Sequence, residues 1–258
     1  MNSPRPVRCS SEHSGQLERI VLDRPKANVL DSAMIGAIVS RLDELARQPG
    51  PLKLLVFEGA GAHFSFGASV EEHLPEHAGR MLPRFHGLFR RIEALSVPTA
   101  AVVRGQCLGG GFELALWCGM VFCEPSARFG VPEIKLGVFP PIAALALPWR
   151  VPGARSVQII LSGEAIPGQE AAPLGIADRC DEDAEAALQE WFATDLAGKS
   201  AVALRAAWRA ARRPLAERFE SDVSALEKLY LDDLMAQRDP AEGIRAFLER
   251  RAPVWENR

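Results

Sequence analysis

The stretch Pro98 to Glu124, PTAAVVRGQCLGGGFELALWCGMVFCE, constrains this chain more than any other. It opens with Thr99 to Val103, apolar and partly β-branched, which reads as a buried strand. Gly105 breaks the run, and Gly109, Gly110 and Gly111 follow. FELALWCGMVF is apolar on nearly every side and predicts a helix buried all round. Its only charge is Glu113, and a lone carboxylate in a buried helix is costly unless something satisfies or uses it. Glycines let backbone N–H groups approach a ligand with no Cβ in the way. A helix N-terminus adds unpaired donors and a partial positive charge. Donors converging beside a buried carboxylate suit chemistry in which an oxyanion forms and a proton moves. A close-packed glycine turn with Glu113 as a helix cap is the alternative reading of the same residues.

A chain of 258 residues, 48% apolar and 24% charged, has the make-up of a soluble globular protein, either one large domain or a core with a smaller subdomain. A net charge of −3 gives no global basic field for nucleic acid or anionic lipid. Cys9, Cys107, Cys118, Cys123 and Cys180 are odd in number, scattered and without a CxxC pair, which predicts reduced, buried thiols in a cytoplasmic protein. MNSPRPVRCSSEHSG lacks the apolar core of a signal peptide, and Arg104 interrupts the best candidate for a membrane span.

Taken in order, residues 1–15 read as a loose arm and GQLERIVLDRP as a strand. DSAMIGAIVSRLDELAR carries Met34, Ile35, Ile38, Val39, Leu42 and Leu45 on one face, an amphipathic helix with Asp31 or Ser32 as N-cap. LKLLVFEG is a second buried strand, and residues 59–75 are a long loop of the kind that is usually functional or mobile. Residues 79–95 form another one-sided helix. After the central stretch come a short extended piece with Pro132 and Glu133, a helix in PPIAALALPWR, a helix in ARSVQIILSG ended by Gly163, and a helix–turn–strand return over 166–180. From Asp181 onward the pattern is helical, with breaks expected at Pro214 and Asp239-Pro240. The change of pattern divides the chain into a strand-and-helix core, 1–180, and a helical C-terminal subdomain, 181–258.

The glycine spacing of RGQCLGGGFE is wrong for a dinucleotide fingerprint, and no Lys-Ser/Thr follows for a P-loop. Glu133 lies 20 residues after Glu113, in a segment too apolar for an ordinary surface loop. Two carboxylates in apolar surroundings can be driven to different pKa values, one acid and one base.

RPKANVLD, FSFGASV, RGQCLGGGFELAL, FGVPEIKLGVF and LSGEAIPGQEAAPLGIAD occur in an order and spacing that resembles the crotonase, or enoyl-CoA hydratase/isomerase, superfamily, from about Leu17 to Phe247. The resemblance implies an α/β fold, a crotonase-like superhelix of β-β-α turns with a helical C-terminal part, usually a trimer or a dimer of trimers. It implies that the Ala68 and Gly110 N–H groups hold an acyl-CoA thioester oxygen, and that Glu113 and Glu133 work on a water molecule. It places the substrate-binding surface at Lys26, Ala27, Phe66, Gly67, Ser69, Val70, Gly109, Pro132, Val138, Phe139 and Phe247. Arg24 and Lys26 would lie near the CoA phosphates, and Phe247 along the CoA site, although plain surface charge and a core phenylalanine read equally well. Coenzyme A is part of the substrate, and neither a metal nor an organic cofactor is expected, because the thioester itself is the electron sink.

Two departures bear on the acyl group. Ser69 stands where many members have Asp, and VFPPIAA stands where simple hydratases often have a glycine-rich turn. FSFGASVEEHLP, QCLGGG and PEIKLGVF are together most similar to hydratases of cyclohexa-1,5-diene-1-carbonyl-CoA. The expectation is a hydro-lyase for a conjugated enoyl- or dienoyl-CoA, with Phe64, Phe66 and Phe139 as flat walls of the acyl pocket. A general enoyl-CoA hydratase, an isomerase needing one glutamate, and a non-catalytic RNA- or acyl-CoA-binding protein are the alternatives. His63, His73, His77 and His86 fall close together without a defined metal motif and read as polar loop residues. Arg205, Arg209 and Arg212 share a helix face that reads as solvated or as a phosphate contact. Trp191, Leu196, Trp208, Phe219, Leu226, Leu229 and Leu234 form stripes that predict assembly into a trimer or hexamer.

Overall fold

The computed structural model describes residues 6–258. A six-stranded sheet runs in the order β1 (Val7–Glu12), β2 (Leu17–Leu22), β3 (Leu54–Gly59), β4 (Thr99–Val103), β6 (Met120–Cys123) and β9 (Arg179–Cys180). Only the β1–β2 pair is antiparallel. A second, three-stranded sheet is formed by β5 (Gln106–Leu108), β7 (Arg128–Gly130) and β8 (Ile166–Pro167).

The large sheet is buried on both faces, as parallel strands require. Alternate residues sort to opposite sides. Ile20, Leu22, Leu55, Phe57, Ala101 and Val103 join the main core beneath α1 (Ser32–Arg47) and α2 (Pro75–Leu95). Leu17, Leu54, Val56, Ala100, Val102 and Phe122 meet α7 (Ala184–Trp191) through Ala184, Ala187 and Leu188. Arg19 in β2 is almost fully buried and pairs with Glu12, Glu58 and Glu185, which ties β1, β2, β3 and α7 together.

Twice a strand of the large sheet is followed by one of the small sheet and then by a helix. The first such turn is β4, β5 and α3 (Gly110–Trp117); the second is β6, β7, a 3₁₀ turn (Pro132–Leu136) and α4 (Pro141–Arg150). Then come α5 (Gly153–Ser162), α6 (Gly168–Leu174), β9 and α7, whose end opens into a π turn, followed by α8 (Ala201–Lys228), a second π turn (Leu229–Leu234) and α9 (Arg238–Leu248).

Four expectations are corrected. The arm is a strand from Val7 onward, with its first five residues outside the described part. The apolar run after Glu113 is not one helix: Cys118 is extended, and Met120–Cys123 pairs with β4. Val121 N–H donates to Asp178 Oδ2 at 2.7 Å, fixing the start of that strand. Pro214 does not break α8 but lies inside it. Of the five cysteines, Cys9 is exposed and Cys180 half-buried, while the other three are buried.

The apolar stripes after Asp181 are largely satisfied within the chain. Leu196 and Phe219 are buried, Leu226 and Leu234 pack on the core, and Trp191 stacks against Phe122. Those stripes therefore do not argue for assembly. Among the described residues no helix is long and apolar enough to cross a membrane.

Candidate active site

Two parallel strands bring the glutamates together. Leu108 of β5 pairs with Gly130 of β7, and Gly109 N–H donates to Gly130 O at 2.8 Å. Each strand ends there, one turning into α3 and the other into the 3₁₀ turn. Glu113 and Glu133 follow within a few residues and line one cavity.

Glu113 is fully inside the protein, and its Oε1 accepts from Ile142 N–H at 2.8 Å and Ala143 N–H at 2.9 Å. It is thus the cap of α4, a helix other than its own, and the sequence-level choice between helix cap and buried reagent is not exclusive. Both bonds fall on one oxygen, leaving Oε2 for the cavity. Burial pushes the Glu113 carboxyl up to about 7, and the two N–H donors oppose that shift. Burial and the charge of Glu113 raise the Glu133 carboxyl as well. Its Oε2 is buried with no hydrogen-bond partner in the protein. A Cβ on Gly109, where φ is +50°, would lie 2.7 Å from Glu133 Oε1, so only glycine fits.

The loop over 59–75 runs beside β5. Ser65 N–H donates to Gln106 O, and Leu108 N–H donates to Ser65 O. Ala68 thereby comes to Gly110: a Cβ on Gly110 would be 3.1 Å from Ala68 N and 3.0 Å from the Phe85 ring. Gly110 opens α3, so its N–H has no carbonyl in its own helix. At Ala68 the bridge to Leu30 runs through Leu30 N–H and Gly67 O, so it does not use the Ala68 N–H. Two N–H groups beside two carboxyls form a geometry suited to an oxyanion and a proton transfer.

The remaining sequence candidates are spread more widely. Phe139 lines the cavity, joined by Pro140 and Pro141. Ser69 faces a neighbouring polar cleft with Arg80 and Arg84, not the glutamates. Gly67 supports the loop, its N–H bonded to Ser65 Oγ, and Ala27 O accepts from Phe66 N–H. Val70 packs partly buried on the core, Val138 is buried, and Pro132 opens the 3₁₀ turn. Lys26 is exposed in a left-handed turn, and Arg24 is bound to Asp31 at 2.6 Å. Phe66 and Phe247 are 43% and 56% exposed, and Phe64 belongs to the core, so neither Phe64 nor Phe66 walls the cavity. The aromatic walls are Phe85, Phe139 and Tyr230.

The histidines go separate ways. His63 Nδ1 accepts from Gln106 N–H, and buried His86 pairs with Glu227. His73 lines the cavity, and its Nδ1 meets Ser69 O at 2.7 Å, which makes that nitrogen the donor and Nε2 the acceptor. Among the described residues no three metal-ligating side chains come together.

Sequence reasoning missed Tyr230 and Asn28. Tyr230 is the chain's single tyrosine, set in an otherwise ordinary helical pattern. Asn28 is buried, and its Nδ2 donates to Ala60 O, His63 O and Phe64 O, stapling the loop that carries Ala68. An asparagine directly after two proposed contact residues, Lys26 and Ala27, was the available signal for it.

The model of the enoyl-CoA hydratase/isomerase family matches residues 12–258. The chain belongs to that family. This family member is 45% identical over 253 residues to a cyclohexa-1,5-dienecarbonyl-CoA hydratase of Thauera aromatica, covering 98% of each chain. It is 33% identical to a 2,3-dehydroadipyl-CoA hydratase of Escherichia coli, over 93% of this chain and 94% of that one. Its backbone superimposes on the crystal structure of an enoyl-CoA hydratase from Mycobacterium avium subsp. paratuberculosis with a TM-score of 0.84, at 26% identity, over 98% and 99% of the two chains. The crotonase-like fold expected from the motifs is therefore the fold of the chain.

Proposed function

We propose that this family member, an enzyme of the hydro-lyase class, adds water to a conjugated cyclic dienoyl-CoA of the cyclohexa-1,5-diene-1-carbonyl type. The observation that carries the reading is the convergence of two buried carboxyls and two N–H donors on one cavity. The Ala68 and Gly110 N–H groups hold the thioester oxygen as charge builds on it. Glu113, whose anion is stabilised by two N–H donors, ionises first and takes a proton from water. Glu133 has an Oε2 without a donor in the protein and feels the charge of Glu113, so it keeps its proton and delivers it to carbon. The thioester is the electron sink, so no cofactor besides the CoA of the substrate is required.

The ring preference rests on the match to the Thauera aromatica hydratase and on the cavity wall. Phe85, Phe139 and Tyr230 offer flat apolar faces, and Pro140-Pro141 stiffens the turn between them. The cavity measures about 20 Å³, room for one water, so the acyl group displaces the flexible Met81 and Leu82 side chains as it enters. Lys26 and Phe247 are assigned to the CoA portion, an assignment that their exposure leaves open to them. The basic helix face does not support an RNA-binding role: Arg205 donates to Gly50 O and Leu52 O, and Arg212 binds Glu93 and Trp117 O. The working assembly is a trimer or dimer of trimers in the cytoplasm. Exposed Trp149, Val157 and Leu161 on α4 and α5 supply apolar surface for it.

Hydration in ¹⁸O-labelled water tests the reading. The label is expected in the hydroxy-thioester product, and Glu113→Gln and Glu133→Gln are each expected to lower turnover by about 10²–10⁴. Near-wild-type turnover by either variant would remove the two-carboxylate mechanism and favour an isomerase.

A further inference from the structure

The polar atoms that the two-glutamate scheme leaves unused include the hydroxyl of Tyr230. The side chain is 1% exposed, and its hydroxyl has no hydrogen-bond partner in the protein. A buried hydroxyl without a partner is costly, on the order of 1–3 kcal/mol, so its retention at a functional cavity calls for an explanation. The ring lies at the cavity of Glu113 and Glu133, tilted against Phe139 at 5.4 Å between centroids.

The backbone around Tyr230 is unusual as well. Leu229–Leu234 is a π turn that interrupts the helical run after α8, and Met235 N–H donates to Tyr230 O at 2.9 Å, the wide bond of that turn. Such bulges re-aim side chains and gather at functional sites. Burial and the charges of both glutamates raise the Tyr230 phenol, so it stays protonated and is a donor throughout the working pH range.

Glu133 Oε2 is the second polar atom at this cavity without a partner in the protein. The cavity has the volume of one water, and a water there needs two to four polar partners. We propose that Tyr230 is a third catalytic residue, whose O–H donates to the oxygen of the water that is added to the double bond. The inference rests on the hydratase reading above and adds a residue to it.

In this arrangement the water oxygen accepts from Tyr230 through one lone pair and directs the other at the carbon. Its hydrogens face the two carboxyl groups. As the C–O bond forms, one water proton passes to ionised Glu113, and the π electrons move onto the thioester oxygen. The proton of Glu133 then passes to carbon as those electrons return. Tyr230 neither gains nor loses a proton; it fixes the direction of the attacking lone pair, and in the reverse reaction it holds the departing oxygen.

Tyr230→Phe keeps the ring against Phe139 and removes only the donor. Two reactions are compared in the purified full-length protein. One is hydration of the dienoyl-CoA; the other is exchange of the α-proton of a saturated acyl-CoA with D₂O. Exchange needs the oxyanion donors and a base but adds no oxygen. The expected result is a fall in hydration kcat of about 10²-fold, the loss typical of one donor to a reacting oxygen, with KM within twofold and exchange within threefold of wild type. Hydration within threefold of wild type would overturn the proposal. So would a parallel fall in hydration and exchange, which would mark Tyr230 as structural. A wild-type enzyme that exchanges protons but hydrates no enoyl-CoA would overturn the hydratase reading itself, an outcome distinct from both.

Discussion

Glu113 has one oxygen bound to the first turn of α4 and the other free for chemistry, and this double duty has a thermodynamic consequence. Its carboxyl is raised from 4.5 to about 7 by burial. Between those values the folded protein holds a proton that the unfolded chain has released. Stability attributable to this group is therefore full below pH 4.5 and is lost as pH rises through 7. Glu113→Gln carries no such loss, and its amide oxygen can still accept from Ile142 and Ala143. The variant is expected to be more stable than wild type at pH 8, by up to about 3 kcal/mol, with the advantage shrinking towards pH 5. Thermal melts of both proteins at the two pH values check this. An advantage of equal size at both would mean that Glu113 titrates normally in the fold. The meeting of Glu113 and Gly110 at one cavity was legible because a charge and three glycines stood out in an apolar run. Tyr230 was not, since one aromatic residue in a helical stretch has no sequence signature of burial beside two carboxyls.

At the level of elements, amphipathic segments were read well and fully buried ones poorly. α1 has four buried residues on the predicted stripe and Asp31 as its cap, with Met34 N–H bonded to Asp31 Oδ1. The run after Trp117 is apolar in every direction, and such a run fits a buried strand as readily as a buried helix. Gly119 was the punctuation that divides them: its N–H bonds Thr99 O, and the chain then pairs with β4. β1 was read as an arm because its burial pattern is mostly exposed, as befits an edge strand paired only with β2 in the sheet. Pro214 went the other way, expected to break a helix that passes through it. Packing of α8 against α2 and α4 outweighs the missing hydrogen bond. Because position 214 is exposed and the backbone is already helical, Pro214→Ala is expected to stabilise the protein by about 1–3 kcal/mol. A melting temperature that falls would show that Pro214 supports a bend which α8 needs.

Across the whole molecule, the site depends on two paired strands of the small sheet, β5 and β7, ending side by side, an arrangement that no local pattern announces. The order of motifs carried it, because the glycine turn and the Pro132-Glu133 segment follow strands that pair. The proposed assembly is open to a direct check: light scattering at micromolar concentration is expected to give a mass three or six times that of the 28.1 kDa chain. A monomer would leave the exposed Trp149, Val157 and Leu161 without the role assigned to them.

In the proposed reaction, two carboxyls and two N–H donors hydrate a ring-shaped dienoyl thioester. An apolar pocket discriminates modestly, about 1–3 kcal/mol for a methylene, so a preference is expected and not complete rejection of straight chains. The measurement is kcat/KM for cyclohexa-1,5-diene-1-carbonyl-CoA against crotonyl-CoA under one set of conditions. The account predicts that the cyclic diene is favoured by tenfold or more, about 1.4 kcal/mol in the transition state. Crotonyl-CoA favoured by the same factor would contradict the ring-binding assignment of Phe85, Phe139 and Tyr230 and leave a general enoyl-CoA hydratase.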